Sequence, residues 1–355
     1  MESIKSNNCK IFFGKDSYSS LNQHIIEKDY SSIFILVDDN TIKNCLPYFQ
    51  NKIFKHKNTN TIAISSGEIN KHIKTCLFIW KKLSELSCDR KSLIINLGGG
   101  VITDIGGFIA STFKRGVDYI NIPTTLLSMV DASIGGKTGV DLGVLKNQIG
   151  IINNPKIVLI DDSYLITLPD NEFRSGYAEM LKHGLISDKK YWIKLSNIDK
   201  IDKKNILSDI KHSVEIKNQI VLKDPFEKSI RKILNFGHTL GHAIESYFLS
   251  NNNKTTLLHG ESIAVGMILE AFISSKLSNL SYKEVCEIKD TFNSIYSKVD
   301  FTEKDIDSII ELIISDKKNS HGIINFVLLN KISSPLIDVQ VKTRLIKDAF
   351  QYYLK

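Results

Sequence analysis

A chain of 355 residues, 42% hydrophobic and 24% charged, reads as a soluble globular protein long enough for two domains, or one large one, with ample core. Its formal charge of +7 comes from dispersed lysines with no basic run or aromatic-interleaved stripe. That disfavours nucleic-acid binding and leaves two alternatives, attraction of a small anionic substrate or a plain Lys-rich surface. No apolar run reaches membrane-span length, and residues 1–10 lack the apolar core of a secretory signal. Five scattered cysteines without CxxC spacing fit reduced thiols in a cytoplasmic protein.

In chain order, residues 32–37 form a continuous apolar run, the kind of strand buried on both faces of a parallel sheet. It ends in Asp38-Asp39-Asn40. A carboxylate there is placed to accept hydrogen bonds from a ribose, although an ordinary surface turn looks the same. A second strand at 60–64 leads through Gly67-Glu68 and Lys71 into a helix reaching about Leu86. Residues 92–97 are a third strand, followed by Gly98-Gly99-Gly100 and a helix that takes in Asp104. Strand, glycine turn and helix together let a phosphate approach backbone N–H groups, and a tight turn is the plain alternative. Thr103 stands at the third glycine position of the dinucleotide fingerprint, so that motif is incomplete.

A strand near 120–122 stops at Pro123 and is followed by Thr124 and Thr125. The stretch from Asp131 through Gly135-Gly136-Lys137 to Lys146-Asn147 is Gly-rich, polar and loop-like, and its lysines suit anion binding or simple solvation. Residues 157–160 are the last apolar strand of this half. From Pro169 onward helical periodicity takes over, with helices expected at 202–223, through 261–298, and at 303–316 and 341–354, and one late strand at 325–329. Two domains follow, an α/β nucleotide-binding domain over 1–168 and a helical domain over 169–355.

The helical half carries the sharpest signal. His238 and His242 are four apart, which puts both imidazoles on one helix face, and His259 follows after a loop. Helix histidines with a distal His or carboxylate are the usual supply for a catalytic zinc with an open position. Partly buried histidines making ordinary hydrogen bonds are the alternative.

Taken together, the chain resembles the 3-dehydroquinate synthase family from about Asp38 to Lys318. The resemblance rests on motifs in the family's order: Gly98-Gly99-Gly100-x3-Asp104, Pro123-Thr124-Thr125, Asp131-x3-Gly135-Gly136-Lys137, Lys146-Asn147, Arg174-x-Gly176-x-Ala178-Glu179-x2-Lys182, Asn235-x-Gly237-His238-x2-Gly241-His242 and His259-Gly260-Glu261. It implies a Rossmann-like NAD-binding domain followed by an all-α domain. The implied activity is a phosphorus–oxygen lyase converting 3-deoxy-D-arabino-heptulosonate 7-phosphate to 3-dehydroquinate in the shikimate route. The cofactors would be zinc, or cobalt, and NAD regenerated in each turnover, and the departing phosphate would help remove a substrate proton.

By that resemblance the metal ligands are Glu179, His238 and His259, and His242 faces the substrate instead of completing the metal set. Asp38, Glu68, Lys71, Gly99, Gly100, Asp104, Thr124, Thr125, Asp131 and Thr167 match cofactor-contacting positions. Lys137 and Lys146 match lysines between cofactor and substrate, and with Lys182 and His242 they form the catalytic set. Asn147, Lys217, Arg231, Asn235 and one or both of Lys317 and Lys318 match substrate-holding positions. Arg115 matches an arginine that reaches a neighbouring subunit's site, implying a homodimer. The chain departs from the family pattern at Asp39 beside Asp38, at Ser229 in place of a usual Gly, and in an Asn-rich insertion before His259. The rival readings are a sister sugar-phosphate cyclase, a metal-dependent polyol dehydrogenase and a catalytically dead nucleotide-binding scaffold.

Overall fold

The computed structural model describes residues 3–143, 145–197, 202–251, 253–315 and 324–355. The chain packs as two compact units, Met1–Phe173 with Asp202–Leu222, and Arg174–Ile201 with Lys223–Lys355.

In chain order the elements are β1 (Ser3–Ser6), β2 (Cys9–Phe13), α1 (Tyr18–Lys28), β3 (Ile33–Asp38), α2 (Thr41–Asn44), α3 (Leu46–Lys52), β4 (Thr59–Ile64), α4 (Ile73–Glu85), β5 (Leu93–Gly98), α5 (Gly100–Thr112), β6 (Asp118–Pro123), β7 (Lys137–Leu142), β8 (Leu145–Ile152) and β9 (Ile157–Ile160). There follow α6 (Asp170–Ser187), α7 (Lys189–Leu195), α8 (Leu207–Lys223), α9 (His238–Ser250), α10 (His259–Leu277), α11 (Tyr282–Ile295), α12 (Glu303–Ser315), β10 (Asn325–Lys331), β11 (Ser334–Gln340) and α13 (Thr343–Leu354).

The first unit is built on a sheet of order β1-β2-β9-β6-β5-β3-β4, parallel except for the β1–β2 pair. Ile33 to Val37 of β3 are buried without a break, as a central parallel strand with both faces covered requires. Cys76, Ile79 and Leu83 of α4 and Ile102, Ile105 and Ile109 of α5 belong to the core cluster that also holds Phe34, Leu36, Ile62, Ile64 and Ile94 of the sheet. Each such side chain contributes roughly 1.5–3 kcal/mol by leaving water. The strands expected at 32–37, 60–64, 92–97, 120–122 and 157–160 all appear. The Gly-rich stretch read as a loop does not stay one: Lys137–Leu142 and Leu145–Ile152 fold as the antiparallel pair β7–β8, in which Gly139 stands opposite Gly150. Lys137 and Lys146 therefore sit on strands. The helix expected over 202–223 forms as α8, and its residues up to Leu222 belong with the first unit.

In the second unit, α10 is buried on nearly every side, from Gly260 to Ser274. A helix apolar all round is the expected centre of a helical domain. The late strand expected at 325–329 is β10, the first arm of a hairpin with β11. No helix among the described residues is long and apolar enough to cross a membrane.

Candidate active site

In the first unit the glycine turn joins β5 to α5, and α5 begins with no side-chain cap. A helix start of this kind presents backbone N–H groups and a partial positive charge to an anion. A Cβ placed on Gly99 would lie 2.9 Å from Thr125 Cγ2, so a side chain there would fill the cradle. Thr124 donates its backbone N–H to the Gly98 carbonyl at 3.0 Å, and Thr125 shares a hydroxyl contact with Ser128 at 3.0 Å. The turn and the Pro-Thr-Thr segment are thereby one structure. Its donor set fits a dinucleotide pyrophosphate.

Beside the turn, Lys71 is buried and sits 2.7 Å from Asp104, 3.6 Å from Glu68 and 2.7 Å from the Asn147 side-chain oxygen. Burial alone pulls the Lys71 ammonium down, but Asp104, Glu68 and Asp141 outweigh it and raise its pKa. Lys146 reaches Glu68 at 3.1 Å. The expected residues Glu68, Lys71, Asp104, Lys146 and Asn147 thus form one network. Asp141, which the sequence reading missed, completes it by accepting the Asn147 backbone N–H at 2.7 Å. Lys217 of α8 places its ammonium 2.6 Å from both the side-chain and the backbone oxygen of Asp131.

The Asp38 carboxylate accepts the N–H groups of Asn40 at 3.0 Å and Thr41 at 2.8 Å, so it caps the next helix, while exposed Asp39 takes the Ser66 N–H at 3.2 Å. Thr167 ends the short 3-10 helix Asp162–Thr167. Lys137 is exposed at the start of β7. Arg115 is exposed just past the far end of α5, with φ 68°.

In the second unit, Glu179 and Lys182 of α6 are fully buried and ion-paired. His238 opens α9, His242 stands one turn on, and His259 opens α10. The close approach of α10 to α6 depends on Gly260, where a Cβ would lie 2.1 Å from the Ser175 carbonyl oxygen. Glu261 accepts the Leu258 N–H at 2.8 Å and so caps the helix behind His259. The His-Gly-Glu motif is therefore a ring, a contact and a cap.

The three imidazoles cluster, each ring within 5.7 Å of the others, and offer nitrogens within 4.8 Å of one another. Two of them also meet Glu179: Nε2 of His238 is 3.5 Å and Nε2 of His259 is 3.4 Å from the same oxygen, Oε1. Metal bonds of about 2.1 Å place tetrahedral ligand atoms about 3.4 Å apart. Both histidines have Nδ1 engaged elsewhere, His238 with the Phe236 carbonyl and His259 with Glu245, each at 3.1 Å. His238 Nε2 is left as an acceptor, His259 Nε2 is the nitrogen a metal would take, and the Oε1 that both face is buried. Glu179, His238 and His259 fit a tetrahedral metal with an open position.

The charges around Glu179 favour a cation there, whether a metal or the proton that His259 holds without one. Desolvation raises the Glu179 carboxyl, but the Lys182 ammonium and the two imidazoles outweigh it and hold it well below the carboxylate range. Burial and then Lys182 push His238 down to about 3, so its ring is neutral. Burial also acts on His259, but Glu245 and Glu179 reverse it and raise the ring to about 9.

Arg231 is buried and gives one guanidinium N–H to the Pro225 carbonyl at 2.6 Å. Asn235 donates to Glu227, which the sequence reading passed over. Ser229 has φ −146°, outside the left-handed region, and its hydroxyl accepts the Ile230 N–H at 2.5 Å. The Asn-rich insertion is tied back by Lys254, 2.7 Å from Asp305 of α12. Lys317 and Lys318 lie outside the described residues.

Residues 61–175 match the 3-dehydroquinate synthase N-terminal family and residues 176–319 the C-terminal family. The 3-dehydroquinate synthase of Parabacteroides distasonis is 40% identical over 346 residues, 97% of each chain. The fold is similar to 2-epi-5-epi-valiolone synthase from Streptomyces hygroscopicus with NAD+ and Zn2+ bound, at TM-score 0.83 and 22% identity over 100% of this chain and 99% of that one. It is also similar to 2-deoxy-scyllo-inosose synthase complexed with carbaglucose-6-phosphate, NAD+ and Co2+, at TM-score 0.82 and 23% identity over 99% of each chain. The chain belongs to the 3-dehydroquinate synthase family.

Proposed function

We propose that the chain converts 3-deoxy-D-arabino-heptulosonate 7-phosphate to 3-dehydroquinate and phosphate, using one divalent metal, zinc or cobalt, and NAD. Membership of the family carries the reaction, and the convergence of two Nε2 atoms and a buried carboxylate oxygen carries the metal. When bound, the metal supplies Lewis acidity toward a substrate hydroxyl and NAD supplies a reversible hydride acceptor.

The protein's own part is holding and orienting. Glu179, His238 and His259 hold the metal, with Lys182 balancing the buried carboxylate. His242, one turn beyond His238, serves the substrate as an acid–base group. Gly99, Gly100, Thr124, Thr125 and the start of α5 hold the NAD pyrophosphate. Asp38 or Asp39, Glu68, Lys71, Asp104, Asp131 and Thr167 complete the cofactor contacts. Lys137, Lys146, Asn147, Lys182, Lys217, Arg231 and Asn235 bind the anionic and hydroxyl groups of the sugar acid, with Lys317 or Lys318. Lys146 and Lys217 are oriented in advance by Glu68 and Asp131, which lowers the ordering cost of binding an anion.

We assign residues 1–168 to NAD binding and 169–355 to metal and substrate. We also propose a homodimer in which Arg115 serves the neighbouring chain, and a cytoplasmic location in keeping with five unpaired thiols. Stripping the protein with a chelator should abolish phosphate release from the heptulosonate phosphate, and added zinc should restore it. A stripped protein that keeps full phosphate release would refute the metal's part.

A further inference from the structure

α9 carries His238, His242 and Glu245 at i, i+4 and i+7, a single helix face. Glu245 is buried, at 6% exposure. It lies two helical turns beyond His238, where it meets the first residue of α10: Glu245 Oε2 is 3.1 Å from His259 Nδ1. A carboxylate oxygen accepts, so Nδ1 keeps its proton, and Nε2 is the nitrogen that would give up its own to a metal. That same Nε2 lies 3.4 Å from Glu179 Oε1. The ring of His259 is therefore held from both sides, and with Nδ1–H fixed by Glu245 the neutral tautomer open to it is the one that ligates through Nε2. His238 obtains the same tautomer from a neutral acceptor, the Phe236 carbonyl. The two rings differ in one respect. His238 is fixed by a carbonyl two residues before it in the chain, whereas His259 follows an eight-residue connection, Asn251 to Leu258, and takes its anchor from another element.

We propose that Glu245 is a positioning residue for the metal site: it fixes the tautomer and ring orientation of His259, so that Nε2 of His259 is the ligand atom. The inference rests on the reading of His259 as a ligand. Carboxylates behind ligating histidines raise ligand basicity as well as orienting the ring, and their removal typically weakens metal binding about 10- to 100-fold.

The test uses zinc alone, titrated against a chromophoric chelator, on the wild type, Glu245→Ala, Glu245→Gln and His259→Ala. Melting of each metal-free protein is followed in parallel. Glu245→Ala should bind zinc about 10- to 100-fold more weakly. Its cobalt form should show an altered visible spectrum, and any fall in its metal-free melting should be shared by Glu245→Gln, which regains zinc affinity. Glu245→Gln keeps an oxygen able to accept the Nδ1–H and should recover much of the affinity. Wild-type zinc affinity in Glu245→Ala, beside a loss in His259→Ala, would overturn the inference alone. An affinity loss matched by lowered metal-free melting and not rescued by Gln would also overturn it, since Glu245 would then be merely structural. Wild-type affinity in His259→Ala would remove the ligand assignment itself.

Discussion

The carboxylate of Glu270, fully buried in α10, accepts the backbone N–H of Gly237 at 2.6 Å and that of Leu240 at 3.3 Å. α9 has no side-chain cap of its own, so its neighbour supplies the acceptor at the turn that presents His238. Glu270→Ala should cost about 1–3 kcal/mol by leaving buried donors unmet, measured by denaturant unfolding. Burial raises the Glu270 carboxyl from 4.5 to about 8, against the pull of the backbone donors. Because the folded value is the higher one, this contribution is full below the unfolded pKa and declines as pH rises toward about 8. The stability difference between wild type and Glu270→Gln should therefore shrink across that interval, and a pH-independent difference would count against it.

Two ligand sets are available around the same imidazoles, and they separate on substitution. His238→Ala and His259→Ala should each lose zinc and activity together. His242→Ala should retain zinc while turnover falls by on the order of 100-fold or more, as for loss of an acid–base group. Metal analysis after dialysis decides it. Loss of zinc in His242→Ala with retention in a Glu179→Gln variant would return the site to the three-histidine set.

Lys71 holds Asp104, Glu68 and Asn147 together behind the glycine turn. Removing one member of a buried ion pair leaves the other charge uncompensated, so Lys71→Met should destabilise the protein by about 3–5 kcal/mol and weaken NAD binding. Adding Asp104→Asn should return part of that stability. Unfolding curves and NAD titration of the single and double variants form the cycle, and strict additivity would deny the coupling.

Arg115 stands beyond the thirteen-residue helix α5, so about 20 Å separates it from the phosphate turn of its own chain. Arg115→Ala and His238→Ala chains should each be inactive alone. Random re-pairing after mixing should give about a quarter of wild-type activity if the arginine acts across a two-fold interface. No recovery would place its action within one chain, and a fully active Arg115→Ala protein would leave it a surface residue.

Much of this was legible in the sequence because period and punctuation carried it. β3 is an apolar run up to Asp38, β5 is interrupted only by Asn96, and the glycine turn follows its strand directly. The β7–β8 pair was not legible, since Gly139 opposite Gly150 gives composition that reads as loop while the pairing supplies the order. The histidines were visible as a spacing, but the choice among them was not, because it depends on Glu179 from a distant helix. Glu245 stood in plain view at i+7 from His238. Its partner, His259, is set by how α9 and α10 pack, and Asp141 and Glu270 escaped notice for the same reason: their partners come from elsewhere in the chain.

The most direct test of the whole account is a product balance. The purified, zinc-loaded protein is incubated with 3-deoxy-D-arabino-heptulosonate 7-phosphate and NAD far below the substrate concentration. Phosphate, 3-dehydroquinate and reduced nicotinamide are then measured together. The account predicts phosphate and dehydroquinate in equal amounts, many times the NAD present, with no accumulation of reduced cofactor. Reduced cofactor formed in step with substrate consumed, with the phosphate still attached, would contradict it and point to a polyol dehydrogenase.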